Sequence, residues 1–226
     1  MAKCTSACNS GKSPTSLLTI QGIVTDYEKL YKSMPPTNPK TLVGDIERCK
    51  NLKNICSTGD YLSGCVCNKK RHQWSITPFF PTAPTLAASQ IIKSSILSKI
   101  YKNFEELYQD VEKAIGSIKG IGRSTLYDTT LRLGATHFGI WPQDYVYVHV
   151  KLIESARHLL PKCKIINGYK IDRSEFDKLD PAFKRLSSAQ IEDLLCIYHD
   201  AILKLAATRG GSSKPSTTTS TTKSTP

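Results

Sequence analysis

Residues 118–125 read Ile-Lys-Gly-Ile-Gly-Arg-Ser-Thr. Gly120 and Gly122 stand two apart, a spacing that lets the chain turn sharply where a side chain would clash. Bare amide N–H groups at such a turn can approach an anion closely. If a helix begins at Arg123, its unpaired amides and the positive end of its dipole point the same way. Lys119 and Arg123 would bring charge to a phosphate, and Ser124 and Thr125 hydroxyl donors. Ile118 and Ile121 would anchor the turn in a core.

A second group is sulfur-rich. Cys49, Cys56, Cys65, Cys67 and His72 fall within 24 residues. Zinc takes four Cys or His ligands in a tetrahedral array. Cys65 and Cys67, beside Gly64, could supply two, with Cys49 and Cys56 or His72 completing the set. The alternative is that Cys49 and Cys56 are small core residues and the rest loop thiols. The adjoining run Lys69-Lys70-Arg71-His72-Gln73-Trp74 suits backbone contact plus stacking on an exposed base. It could equally be a solvated basic loop with Trp74 in the core. Gly-Lys-Ser at 11–13 lacks the glycine spacing of a phosphate loop, and no His-Glu-x-x-His occurs.

The turn resembles the helix-hairpin-helix family of nucleic-acid-binding modules, whose core pattern is apolar-x-Gly-apolar-Gly, met here by Ile118, Gly120, Ile121 and Gly122. The resemblance covers residues 104–135. It implies contact with the sugar-phosphate backbone and little reading of sequence. It also implies a monovalent cation on the hairpin carbonyls, by position those of Gly116, Ile118 and Ile121. A single such module binds on the order of micromolar or weaker at physiological salt.

Gly120 to Thr125 is also similar to the hairpin of base-excision DNA glycosylases. The position of that family's Schiff-base lysine is held here by Ser124, as in its monofunctional branch. The resemblance then implies a carboxylate somewhat under twenty residues downstream. The nearest is Asp144, a slightly long twenty residues after Ser124. It would have to stand beside a pocket holding an everted base, with Trp141, Tyr145 and Tyr147 available for stacking. A turn role for Asp144 after Pro142 competes with this. Only Cys163 and Cys196 lie downstream, so the family's four-cysteine iron–sulfur cluster is not expected.

The elements that must position these residues read as helices. Apolar spacing predicts helices over 16–33, 41–54, 86–101, 104–118, 123–134 and 152–160. Asn103 with Glu106, and Ser187 with Gln190, are capping-box signatures, the second opening a helix over 188–207. Gly59, Gly64, Pro78, Pro81 and Pro84 predict loop over 56–85. Residues 145–150 alternate Val with aromatics and fit a short strand or a buried helix start.

The expected fold class is therefore mainly α. One helical domain spans 13–207 and carries the helix-hairpin-helix at 104–135. A flexible head covers 1–12, and a disordered Ser/Thr/Lys tail covers 208–226. Across 226 residues the net charge is +12, which favours polyanionic partners without choosing among them. No run is long and apolar enough to span a bilayer, and residues 1–12 are too polar for a secretory signal. An intracellular location (cytoplasm, nucleoid or nucleus) is expected, with the eight cysteines as thiols or metal ligands. The leading functional expectation is non-sequence-specific, non-catalytic binding of DNA or RNA. The alternatives are a monofunctional glycosylase using Asp144, and a basic module that meets acidic proteins.

Overall fold

The computed structural model describes residues 19–33, 38, 41–67 and 80–209. Residues 1–12, expected to be a flexible head, the basic run at 69–74 and the residues beyond 209 lie outside them. The described residues form ten α-helices and one two-stranded sheet, so the mainly α expectation holds. None of these helices is long and apolar enough to cross a membrane.

Helices α1 (Ile20–Ser33), α2 (Leu42–Ile55) and α3 (Thr58–Val66) come first. The loop expected over 56–85 is corrected by α3. Ser57 caps it, its hydroxyl accepting from the Asp60 amide at 3.2 Å. Its two glycines do not break it because Gly64 is where α3 meets α2. A Cβ there would come within 2.5 Å of Leu52 Cδ1. Packing overrides propensity at that point.

Helix α4 (Ala83–Lys93) carries Pro84 in its first turn, where a missing N–H costs nothing. It ends eight residues before the expected 101. The Ser94 hydroxyl bonds back to the Ile91 carbonyl at 2.9 Å, and Ser95 turns left-handed at φ 56°. A short 3₁₀ turn, Ile96–Ser98, follows.

Helices α5 (Phe104–Ile115) and α6 (Arg123–Leu133) flank the glycine turn, and α6 runs on into a π-helical turn, Gly134–Phe138. Strand β1 (Tyr145–Tyr147) leads to α7 (Val150–Leu159) and then β2 (Lys170–Asp172). The strands pair antiparallel, Val146 opposite Ile171, so the 145–150 run is strand over Tyr145–Tyr147 and reaches the start of α7 at Val150. Helix α8 (Arg173–Leu179), a 3₁₀ turn (Pro181–Arg185), α9 (Ser188–Ile197) and α10 (His199–Arg209) complete the chain. The single helix expected over 188–207 is broken at Tyr198, whose hydroxyl donates to Asp26 on α1 at 2.7 Å. Helix α10 also takes in 208 and 209, assigned above to the tail.

Two apolar clusters fill the interior. One gathers α2 to α6; the other gathers α1, α7, α8, α9 and α10. Strand β1 runs between them. Tyr145 and Tyr147 pack into the first cluster, and Val146 and Val148 into the second, as the period of two in a strand requires.

Candidate nucleic-acid interface

Helix α6 is the most enclosed helix beside the turn. Every residue from Thr125 to Leu133 is buried. Thr129 and Thr130 satisfy their hydroxyls on the carbonyls of Thr125 and Leu126, four residues back, at 2.6 and 2.8 Å. Arg132 is buried too. It donates to Asp45 at 2.8 Å and to the Cys65 carbonyl at 2.7 Å. Only the N-terminal end of α6 reaches solvent, where Gly122 and Arg123 are exposed.

Gly122 is the N-cap. Its carbonyl accepts the Leu126 amide at 2.9 Å, but no side chain caps the first-turn amides. It has extended backbone and open space around its α-carbon. Gly120 differs. It is half-buried with φ 95°, and an added Cβ would lie 2.5 Å from the Phe80 ring. Ile121 is buried, its amide closing a turn onto the Ile118 carbonyl at 3.0 Å. So the two isoleucines anchor the turn, with one glycine pressed under Phe80 and the other facing water.

The charged residues are less extended than the sequence suggests. Arg123 lies 4.2 Å from the centre of the Tyr169 ring, and its Nη1 is 3.3 Å from Glu112 Oε1. Both members of that ion pair are more than a third exposed, so the pair holds Arg123 only weakly. Lys119 stands over Phe80 at 5.8 Å. Ser124 is half-buried. Thr125 is a correction: at 5% exposure its side chain faces the core and is closed to phosphate. Lys69, Lys70 and Arg71 lie outside the described residues.

Behind Arg123 lies a group that spacing did not reveal. Tyr108, Arg123, Tyr127, Tyr147, His149 and Tyr169 line a narrow hollow of about 10 Å³, roughly the room of one water molecule. These aromatics come from α5, α6 and the β1–β2 region, so no local pattern joins them. The Tyr127 hydroxyl is buried there without a hydrogen-bond partner. Tyr147 donates to Glu105 at 2.6 Å, and Lys170 pairs with the same carboxylate at 2.8 Å. Burial pushes Glu105 up, but the hydrogen bonds from Lys170, Tyr147 and Gln109 outweigh it and hold the carboxyl below its usual range. His149 Nε2 is 3.2 Å from Glu192, a fully enclosed carboxyl that burial pushes up.

The catalytic alternative finds no such setting. Asp144 is exposed on the bend before β1, its carbonyl bound by the Arg173 amide at 2.8 Å. It does not line the hollow, and Tyr147 is spent in the core. Ser155, His199 and Glu154 have the residue types of a nucleophile, base and orienting acid, with Ser155 Oγ 2.6 Å from His199 Nδ1 and Nε2 3.8 Å from Glu154. Ser155 is fully buried on α7; the bond ties α7 to α10 and is closed to substrate.

The four cysteines expected around zinc are not gathered. Among the described residues, no three His, Cys, Asp or Glu side chains come together as a metal would need. Cys49 and Cys65 are buried in the first cluster. Cys56 and Cys67 are the C-cap residues of α2 and α3. His72 lies outside the described residues. None of the six described cysteines is in a disulfide.

Comparison with family models, with curated proteins and with solved structures finds no match. The helix-hairpin-helix resemblance therefore stands on residues 104–135 alone.

Proposed function

We propose that this chain binds the phosphate backbone of nucleic acid at the Gly120–Ser124 turn, without reading sequence. One observation carries the reading: a helix enclosed along its length surfaces only at its positive, uncapped end. In low-dielectric surroundings the dipole and first-turn amides are screened less than on a surface helix. Exposed Arg123, weakly held by Glu112, can swing to a phosphate oxygen. The net charge of +12 adds long-range attraction. A monovalent cation on the carbonyls of Gly116, Ile118 and Ile121 belongs to the same proposal, and no step depends on it.

The test is binding of a labelled duplex and a labelled single strand, measured against salt. Gly122→Asp separates function from folding. The carboxylate fits the open space, caps α6 itself and occupies the anion seat. Stability should hold or rise by a few tenths of a kcal/mol, while affinity falls roughly tenfold or more. Arg123→Ala should weaken binding evenly across sequences and lower the salt slope by about one. If Gly122→Asp binds as well as the wild type, the turn is not the site.

A further inference from the structure

We propose that Cys49 and Cys65 form a disulfide under hydroperoxide, a cross-link that staples α2 to α3. The argument begins with the closeness of the two helices. Gly64 has no room for a side chain against Leu52, and this brings the next residue, Cys65, onto the face of α2 that carries Cys49. Both side chains are wholly buried in one cluster, each is close enough to shift the other's proton affinity, and both are thiols.

Two guanidinium groups fix the backbone around them. Arg48 Nη2 lies 3.3 Å from Cys49 Sγ and donates to the Gly64 carbonyl at 2.8 Å. Arg132 Nη1 donates to the Cys65 carbonyl at 2.7 Å. Arg48 thus ties the Cys49 sulfur to the backbone next to Cys65, with positive charge at hand to favour a developing thiolate.

The chemistry balances with hydrogen peroxide as oxidant. The Cys49 sulfur attacks one peroxide oxygen and the O–O bond breaks. The departing oxygen leaves as water with the thiol proton, and Cys49 becomes a sulfenic acid. The Cys65 sulfur then attacks the Cys49 sulfur. The S–S bond forms as the S–O bond breaks, and the hydroxyl leaves as a second water with the Cys65 proton. Two electrons pass from the thiols to the peroxide. Because both sulfurs are enclosed, peroxide reaches them only as α3 lifts from α2, so the pair reacts more slowly than half-buried Cys56.

The experiment uses the reduced full-length wild-type chain. After hydrogen peroxide, remaining thiols are blocked in denaturant, and intact mass and disulfide-linked peptides are read. Chymotryptic cleavage after Tyr61 and Leu62 separates Cys56 from Cys65, and fragmentation distinguishes Cys65 from Cys67. The expected result is two thiols that escape blocking, a fragment linking Cys49 to Cys65 that is about 2 Da lighter than its two peptides together, and a melting temperature higher by roughly 5 °C or more that reductant reverses. Cys56→Ser and Cys67→Ser should keep the bridge, and Cys49→Ala should lose it. Should Cys49→Ala fail to fold, the wild-type peptide map decides. A bridge from Cys65 to Cys56 or Cys67 would overturn the proposal. So would Cys49 and Cys65 that stay alkylatable after prolonged exposure, once the peptide map has stopped changing with time.

Discussion

Gly120 and Gly122 share a turn but are held there by different constraints. At Gly120 the backbone is left-handed and Phe80 sits on the α-carbon. Gly120→Ala should therefore cost about 2 kcal/mol, read as a lower urea midpoint with an unchanged slope. A cost near zero would mean that Phe80 moves aside and the turn relaxes. Gly122 carries no such strain, which is why it is the position for a binding test. Glu192 shows a different single-residue effect. Burial raises its carboxyl, Asp128 and Asp193 add repulsion, and the His149 contact offsets only part of this. A carboxyl whose folded pKa exceeds its unfolded value keeps its proton in the folded chain after the unfolded chain has lost it. Its contribution is complete below the ordinary value of about 4.3 and is lost as pH rises through the raised one. Glu192→Gln cannot ionise. Its melting temperature should fall less than that of the wild type as pH rises above the ordinary carboxyl range; parallel curves would refute the raised carboxyl.

At the scale of elements, caps were the most legible signals. Ser187 and Gln190 form both halves of the capping box that opens α9, at 3.2 and 2.8 Å. Asn103 accepts from the Glu106 amide at 3.0 Å, although the Glu106 carboxylate turns to the Lys102 amide. Such bonds join residues three or four apart, so sequence spacing exposes them. Ser187→Ala should cost about 1 kcal/mol, seen in urea unfolding; no change would mean that packing alone holds the start of α9. Helix ends set by distant contacts were not legible. Tyr198 interrupts the last long helix, with its hydroxyl bonded to Asp26, a partner 172 residues away. Helix α3 was missed because its glycines signal a loop, whereas Gly64 serves the packing of α3 on α2.

For the molecule as a whole, the two apolar clusters meet across β1, and α9 enters both, Ala189 on one side and Ile191 and Leu194 on the other. Neither cluster can come apart without stripping a face from β1 or α9. Unfolding should therefore be one transition, with tyrosine and tryptophan fluorescence and far-ultraviolet dichroism sharing a midpoint. Separate midpoints would mean that the clusters fold independently. The same architecture encloses α6 and leaves its amino end at the surface, so the candidate site is a product of the whole fold.

The residue order alone determined that the chain is mainly helical, that a sharp turn at 119–122 separates two helices, and where α9 begins. These rest on spacings of a few residues, within which backbone geometry dictates who meets whom. Only the tertiary structure decided that Thr125 faces inward, that Phe80 covers Gly120, that Cys49 meets Cys65 without Cys56, and that four tyrosines gather behind Arg123. Those outcomes depend on how buried faces from distant segments share space, and a one-dimensional pattern carries no record of which faces will be opposed.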